Sequence, residues 1–216
     1  NERSYKQLKA TLEQFADHPQ QLAAYIEWFR QLPLFLEMDD FRVVHAAWDQ
    51  AMINRYLAEF GNAQLADEIL FGAPEVGSFA QRFLERHTRG VSLPLPDGKF
   101  MLSHEGFPRY RFRVKFWSAE GQCYNDILFQ PDPLPQDIGE LPIGEDERAH
   151  LLHYAEHEKP LFTGHYWLQG EPRLLQHNVA CLDYSAVNKG LLVAYRIRQG
   201  ERTLSAQQFV YVSCKD

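Results

Sequence analysis

Two of the chain's nine histidines share one sequence context. His45 closes the apolar run Phe41-Arg42-Val43-Val44, and His165 closes Pro160-Leu161-Phe162-Thr163-Gly164. Each therefore sits where a strand should meet a loop. In open α/β sheets the carboxyl ends of strands are where ligands gather. Imidazole is a common metal ligand, and two imidazoles brought together would suit a borderline divalent cation such as Mn, Fe, Co or Zn. A lone histidine at such a place also serves simply as a strand-end residue, and both readings stand at this point. A second set is His153-Tyr154-Ala155-Glu156-His157, which spells H-x-x-E-H. On a helix, histidines four apart share a face and could hold zinc, with Glu156 as general base of a protease. The pattern is short and arises easily by chance, and a polar helix end is its ordinary reading.

Cationic residues alternate with aromatic ones along Arg109-Tyr110-Arg111-Phe112-Arg113-Val114-Lys115-Phe116. The strict period of two predicts one strand over 109–116 with a basic face. Guanidinium pairs with phosphate oxygens through two parallel bonds, so Arg111 and Arg113 are candidate substrate contacts. A solvated basic face is the alternative. Other chemistries lack their motifs. There is no G-x-S-x-G, no phosphate-cradling G-x-x-x-x-G-K and no paired C-x-x-C. The tryptophans Trp28, Trp48 and Trp117 read as core, with Trp167 bordering the cleft beside His165.

These residues need a scaffold. The 216-residue chain is 45% hydrophobic and 24% charged, the profile of a globular domain, and its formal net charge of −7 argues against nucleic acid as a partner. No apolar run approaches the ~20 residues of a membrane span, so no membrane association is expected. Three cysteines without a paired spacing suggest free thiols and a cytoplasmic location. Ser4 and Gln7 form a capping-box pattern before an amphipathic helix over 5–17 with apolar positions Leu8, Leu12 and Phe15. Pro19 starts a second helix whose apolar face is Leu22, Ile26, Phe29 and Leu32, and the two should form a hairpin leading into the core. Strands are expected at 34–36, 41–45, 178–184, 190–197 and 207–213. Helices are expected at 49–60, 63–70, 78–88 and 146–157. The Pro- and Gly-rich segment from about 90 to 145 reads as an insertion or flap on one 216-residue domain. The fold class is α/β.

At the histidines the chain resembles a known family. Val43-Val44-His45-Ala46-Ala47-Trp48 resembles the VHAxW motif of the calcineurin-like metallophosphoesterase superfamily, and Gly164-His165-Tyr166-Trp167 resembles its later Gly-His motif. Asn178 to Ser185 and Gly190 to Arg196 look like that family's C-terminal strands. The nearest branch is similar to bacterial serine/threonine phosphatases and diadenosine tetraphosphatases, and Leu93-Pro94 to Trp117 resembles an insertion of that branch. The resemblance implies a β-sandwich flanked by helices and a dinuclear metal site to which His45 and His165 contribute ligands. It implies Arg113 as a phosphate contact, while Asp183, after a buried strand, reads either as a residue orienting a ligand histidine or as a strand-end turn residue. The family's earlier motifs, Asp-x-His, Gly-Asp-x-x-Asp-Arg-Gly and Gly-Asn-His-Glu, do not occur here. The chain thus reads as the C-terminal part of a phosphoesterase. The catalytic general-acid histidine is expected before residue 1, and this chain alone is expected to be inactive. Substrates consistent with the resemblance are a phosphorylated small molecule, a dinucleotide polyphosphate or a phosphoprotein. A strand edge left open by missing units would favour a homodimer. The competing class is a degenerate, non-enzymatic interaction domain.

Overall fold

The computed structural model describes residues 2–102, 108–118, 121–129 and 133–214. Two helices open the chain, α1 (Glu2–Gln14) and α2 (Pro19–Gln31), followed by strands β1 (Phe35–Glu37) and β2 (Arg42–Val44). Helix α3 (Gln50–Phe60) is capped by Asp49, whose carboxylate accepts from the Met52 amide at 3.1 Å, and Gly61 ends it at φ +73°. Helices α4 (Asp67–Gly72) and α5 (Phe79–Arg89) follow, the latter capped by Ser78.

The middle of the chain holds short pieces: β3 (Ser92–Pro94), β4 (Met101–Leu102), β5 (Pro108–Arg109), β6 (Arg111–Arg113), α6 (Tyr124–Ile127), α7 (Gln136–Gly139) and α8 (Glu145–His150). The last third is mostly strand: β7 (Leu161–Thr163), β8 (Leu174–Gln176), β9 (Val179–Cys181), β10 (Asp183–Tyr184), β11 (Leu191–Tyr195) and β12 (Phe209–Ser213).

A mixed α/β architecture results. The main sheet has the order β1-β2-β7-β9-β8, with β2, β7 and β9 parallel and the outer strands antiparallel. Strands β7 and β9 are buried at every position, as central parallel strands covered on both faces must be. Strands β10, β11 and β12 form a separate three-stranded antiparallel sheet. One apolar core joins Trp48, Tyr56 and Phe83 of the first half to Phe112, Val114 and Ile127 of the Pro-rich segment and Leu161 and Val179 of the main sheet.

Several expectations need correction. Helix α1 begins at Glu2, so Ser4 lies inside it and not at its cap; the side chains of Ser4 and Gln7 fall outside the described residues. Helix α2 has no buried residue, and Leu8, Leu12, Ile26, Phe29 and Leu32 are exposed. The hairpin therefore does not enter the core: periodicity sets which side of a helix is apolar, while burial needs a surface to pack against. Trp28 is exposed for the same reason. The 109–116 run is interrupted at exposed Tyr110, where β5 ends and β6 begins, because the two pieces pair with different partners, β4 and β3. Beyond the break Phe112, Val114 and Phe116 are buried as the alternation requires. Helix α8 stops at His150, and residues 151–155 are not helical. Among the described residues no helix is long and apolar enough to cross a membrane.

Candidate metal centre at the ends of three parallel strands

Because β2, β7 and β9 run parallel, their carboxyl ends open on one side of the sheet. His45 directly follows β2, His165 comes two residues after β7, and Asp183 comes two residues after β9. The imidazoles of His45 and His165 meet edge-on, at 60°, with ring centroids 5.4 Å apart. Both histidines and Asp183 line one open cavity of about 400 Å³, floored by Val44, Phe162 and Thr163.

The loops that carry the histidines are clasped together. The Gly164 amide donates to the His45 carbonyl at 2.9 Å. The Thr163 hydroxyl donates to the Ala46 carbonyl at 2.6 Å, with the His45 carbonyl 3.2 Å away. From the other side, the Ala46 amide donates to the carbonyl of His87 in the last turn of α5, at 2.9 Å. The turn after β7 is held in an uncommon conformation. His165 has φ +68° and Trp167 φ +50°, the left-handed region that non-glycine residues enter at a cost and that clusters at functional sites.

His165 is half-buried, and its Nε2 is buried without a hydrogen-bond partner. Its pKa is pushed down to about 4, first by burial, then by the charges of Arg113 and His45, against the opposing pull of Asp183 and a hydrogen bond to the Arg89 main-chain carbonyl. A half-buried ring held neutral, with one nitrogen left without a partner, is suited to be a metal ligand. His45 is exposed. Asp183 uses one carboxylate oxygen to accept from the Ser185 amide at 3.0 Å, which fixes the side chain at the cavity wall.

The donor set is incomplete. Among the described residues no group of three His, Cys, Asp or Glu side chains is placed to hold a metal ion. The two imidazoles and the orphaned Nε2 fit part of a metal's shell and no more.

Of the two candidate arginines, Arg113 is half-buried and acts electrostatically on His165. Arg111 is exposed and engages Ser92, donating from Nη2 to its carbonyl at 2.6 Å and from Nε to its hydroxyl at 3.0 Å. It faces a neighbouring cleft instead of the histidine cavity. Trp167 is exposed and lines a separate cavity with Tyr184 and Lys189. The H-x-x-E-H reading fails on geometry. His153 and Glu156 lie beyond the end of α8, so no helical face unites them with His157, and the Glu156 main-chain carbonyl is 2.9 Å from His177 Nε2. The chain's thiols are free, and Cys181 is buried with its pKa raised to about 11 by burial, which leaves it unreactive.

Sequence reasoning missed Thr163, whose hydroxyl ties the two loops, and Arg86 and Arg89 of α5. The last two looked like ordinary cations at a helix C-terminus, a position that favours positive charge for its own reason. Against known proteins, no family model, no curated protein and no solved structure matches this chain.

Proposed function

We propose that this chain is the C-terminal part of a calcineurin-like dinuclear phosphoesterase, with a β-sandwich core, that hydrolyses phosphate esters or anhydrides. The observation that carries the reading is the pair of edge-on imidazoles, His45 and His165, at the carboxyl ends of adjacent parallel strands, with the buried Nε2 of His165 left partnerless. In this reading His45 and His165 are two ligands of one metal, drawn from Mn, Fe, Co or Zn. When bound, the metals would neutralise phosphate charge and would supply hydroxide near neutral pH.

The chain's own residues do the positioning. Burial keeps the His165 ring neutral and ready to ligate. Thr163 and Gly164 hold the two histidine loops in register. The Asp183 carboxylate opposes the positive field of Arg113 at His165. Arg113 is the group that would hold a phosphoryl oxygen beside the histidines. The bridging carboxylate, the remaining ligands and the general-acid histidine come from outside these 216 residues, so the chain alone is inactive. The substrate is a phosphorylated small molecule, a dinucleotide polyphosphate or a phosphoprotein, in the cytoplasm, and open strand edges at β1 and β12 favour a homodimer.

Titrating Mn²⁺ or Zn²⁺ into the purified chain by calorimetry tests this. Weak one-to-one binding should appear and fall by about tenfold or more in His45→Ala and in His165→Ala, each losing one of two ligands. Binding that survives both substitutions, or hydrolysis of p-nitrophenyl phosphate by contaminant-free chain, would refute the half-site. The incomplete donor set favours one second reading, a degenerate interaction domain, which predicts no metal binding at all.

A further inference from the structure

A cleft of about 580 Å³ lies between α5 and the β3–β6 ribbon. Its wall carries Arg82, Arg86, Arg89 and Arg111, on a chain whose formal net charge is −7. Glu85, Asp146 and Glu147 also reach the wall. Glu147 is already engaged, accepting from the Tyr124 hydroxyl at 2.8 and 2.7 Å and from the Gly144 amide at 3.0 Å. Glu85 is exposed and meets the Gln81 side chain.

Asp146 makes no ion pair among the described residues, and the arginines are unevenly satisfied, Arg111 bonding Ser92. Arg86 Nη1 is buried and has no hydrogen-bond partner, and its nearest carboxylate, Asp49, sits 3.6 Å from Nε. Among the described residues the side chains of Arg82 and Arg89 make no ion pair. A buried guanidinium nitrogen left without an acceptor costs free energy. Below the arginines the lining is apolar, from Met52, Val91, Leu93 and Pro94. The volume is that of a small-molecule site, with a charged wall, His150 included, over an apolar floor.

The cleft shares walls with the histidine cavity. Arg89, on its rim, gives its main-chain carbonyl to His165. Gly90 packs so closely on Tyr166 that a Cβ there would fall 2.5 Å from the tyrosine hydroxyl. Strand β6 links the two directly: Arg113 acts on His165, and Arg111, two residues earlier on the same face, lines the cleft. Two residues along a strand span about 6.6 Å.

We propose that this arginine-walled cleft is a binding site for a small phosphorylated molecule with an apolar moiety, the phosphoryl oxygens on Arg86, Arg89 and Arg111 and the apolar part on Met52, Val91 and Leu93. That it binds such an anion follows from the cleft alone. That it holds the non-reacting end of a substrate rests on the phosphoesterase reading, and it then selects esters carrying a second anionic group over simple monoesters.

Calorimetry of the 216-residue chain in EDTA-containing buffer, with ADP as the probe and adenosine as the uncharged control, tests the site. ADP should bind, adenosine should bind far more weakly, and Arg89→Gln and Arg111→Gln should each weaken ADP by about tenfold, the loss of one charge-assisted contact. Both arginines are exposed, and an unchanged urea midpoint verifies that the variants fold. His45→Ala and His165→Ala should leave ADP affinity within about twofold, since no metal takes part. Absent ADP binding, or ADP binding indifferent to Arg89→Gln and Arg111→Gln, overturns the cleft while leaving Mn²⁺ titration of the histidines to judge the metal site. ADP binding lost with the histidines and kept with the arginines places the anion in the other cavity and also overturns it. A phosphoserine peptide that binds more tightly than ADP overturns the choice of a small molecule.

Discussion

Helix α2 and the strand pair β2–β7 make opposite use of their apolar residues. Helix α2 runs thirteen residues with an amphipathic pattern, yet buries none of them. Strands β2 and β7 are three residues each, and β7 is buried throughout. The helix is attached by polar contacts at its end: Arg30 pairs with Asp67, the Gln64 side chain donates to the Gln31 carbonyl at 3.1 Å, and the Leu34 amide donates to Ala63 at 2.8 Å. The strands are fixed by their neighbours on both sides and carry the histidines at their tips. Length and periodicity determine whether an element forms, but the surface it meets determines whether it contributes stability.

The largest expected contrast is between two tryptophans. Trp48 is 1% exposed, meets Phe35 edge-on at 6.0 Å and lies under the Arg42 guanidinium at 4.9 Å. Trp48→Ala should cost about 3–5 kcal/mol, the usual loss for a buried aromatic. Trp28 is 53% exposed, and Trp28→Ala should fall within about 0.5 kcal/mol of the parent. Urea midpoints of the two variants compare them directly, and similar losses would break the contrast.

Next comes the clasp between the histidine loops. Thr163→Val keeps the shape of the side chain and removes its hydroxyl, leaving the buried Ala46 carbonyl without that donor. A destabilisation of about 1–3 kcal/mol is expected. If the clasp also positions the imidazoles, Mn²⁺ affinity should fall with it. Lost stability with unchanged affinity would restrict Thr163 to a structural role.

Much of this was legible in the sequence, for reasons that differ by element. Helices α3 and α5 formed where they were expected, at 49–60 and 78–88, and their ends are set by local chemistry, the caps Asp49 and Ser78 and the left-handed stop Gly61. The pairing of β1 with β2 around Asp39–Asp40 was readable for the same reason. That β2 and β7 lie side by side, 118 residues apart at the clasp, is not local and followed only from the resemblance of the His45 and His165 contexts. Arg111 and Arg113 looked equivalent in the alternating run. They part because Arg111 bonds Ser92 at the wall of the cleft while the charge of Arg113 acts on His165, a tertiary fact without a sequence signal. Helix α8 was overextended because Leu151 to Ala155 leave the helix so that the Tyr154 amide can bond the Phe116 carbonyl at 2.8 Å, burying the tyrosine ring.

Burial also predicts a smaller, pH-dependent effect. His87 is 1% exposed, stacked 4.2 Å from Phe83, and its Nδ1 lies 2.7 Å from the Phe83 carbonyl. The carbonyl can only accept, so Nδ1 carries the proton, and Nε2 is buried without a partner. Burial holds its pKa below the ordinary value, outweighing the pull of the Phe83 carbonyl and Asp49, while the charge of Arg86 adds to the depression. The unfolded chain takes up a proton near pH 6.5 that the folded chain refuses, so the stabilisation is full above that pH and declines as pH falls. His87→Phe should flatten the dependence of the melting temperature on pH below about 7, leaving a residual slope from His165. An unchanged slope would mean that His87 is protonated in the fold.

The smallest effect tests the other side of the contrast. Ile26 and Phe29 are 50% and 57% exposed on α2. Ile26→Ser and Phe29→Ser remove apolar surface that the fold leaves open to water, so the urea midpoint should move by no more than about 0.5 kcal/mol. A drop of more than about 1 kcal/mol would mean the face is covered in solution, and the drop should then shrink as the protein is diluted, because a stability shared with a second copy depends on concentration. In that case α2 would resemble β7 after all, with the surface it packs against supplied by another chain, and the difference between the two regions would be one of partner and not of kind.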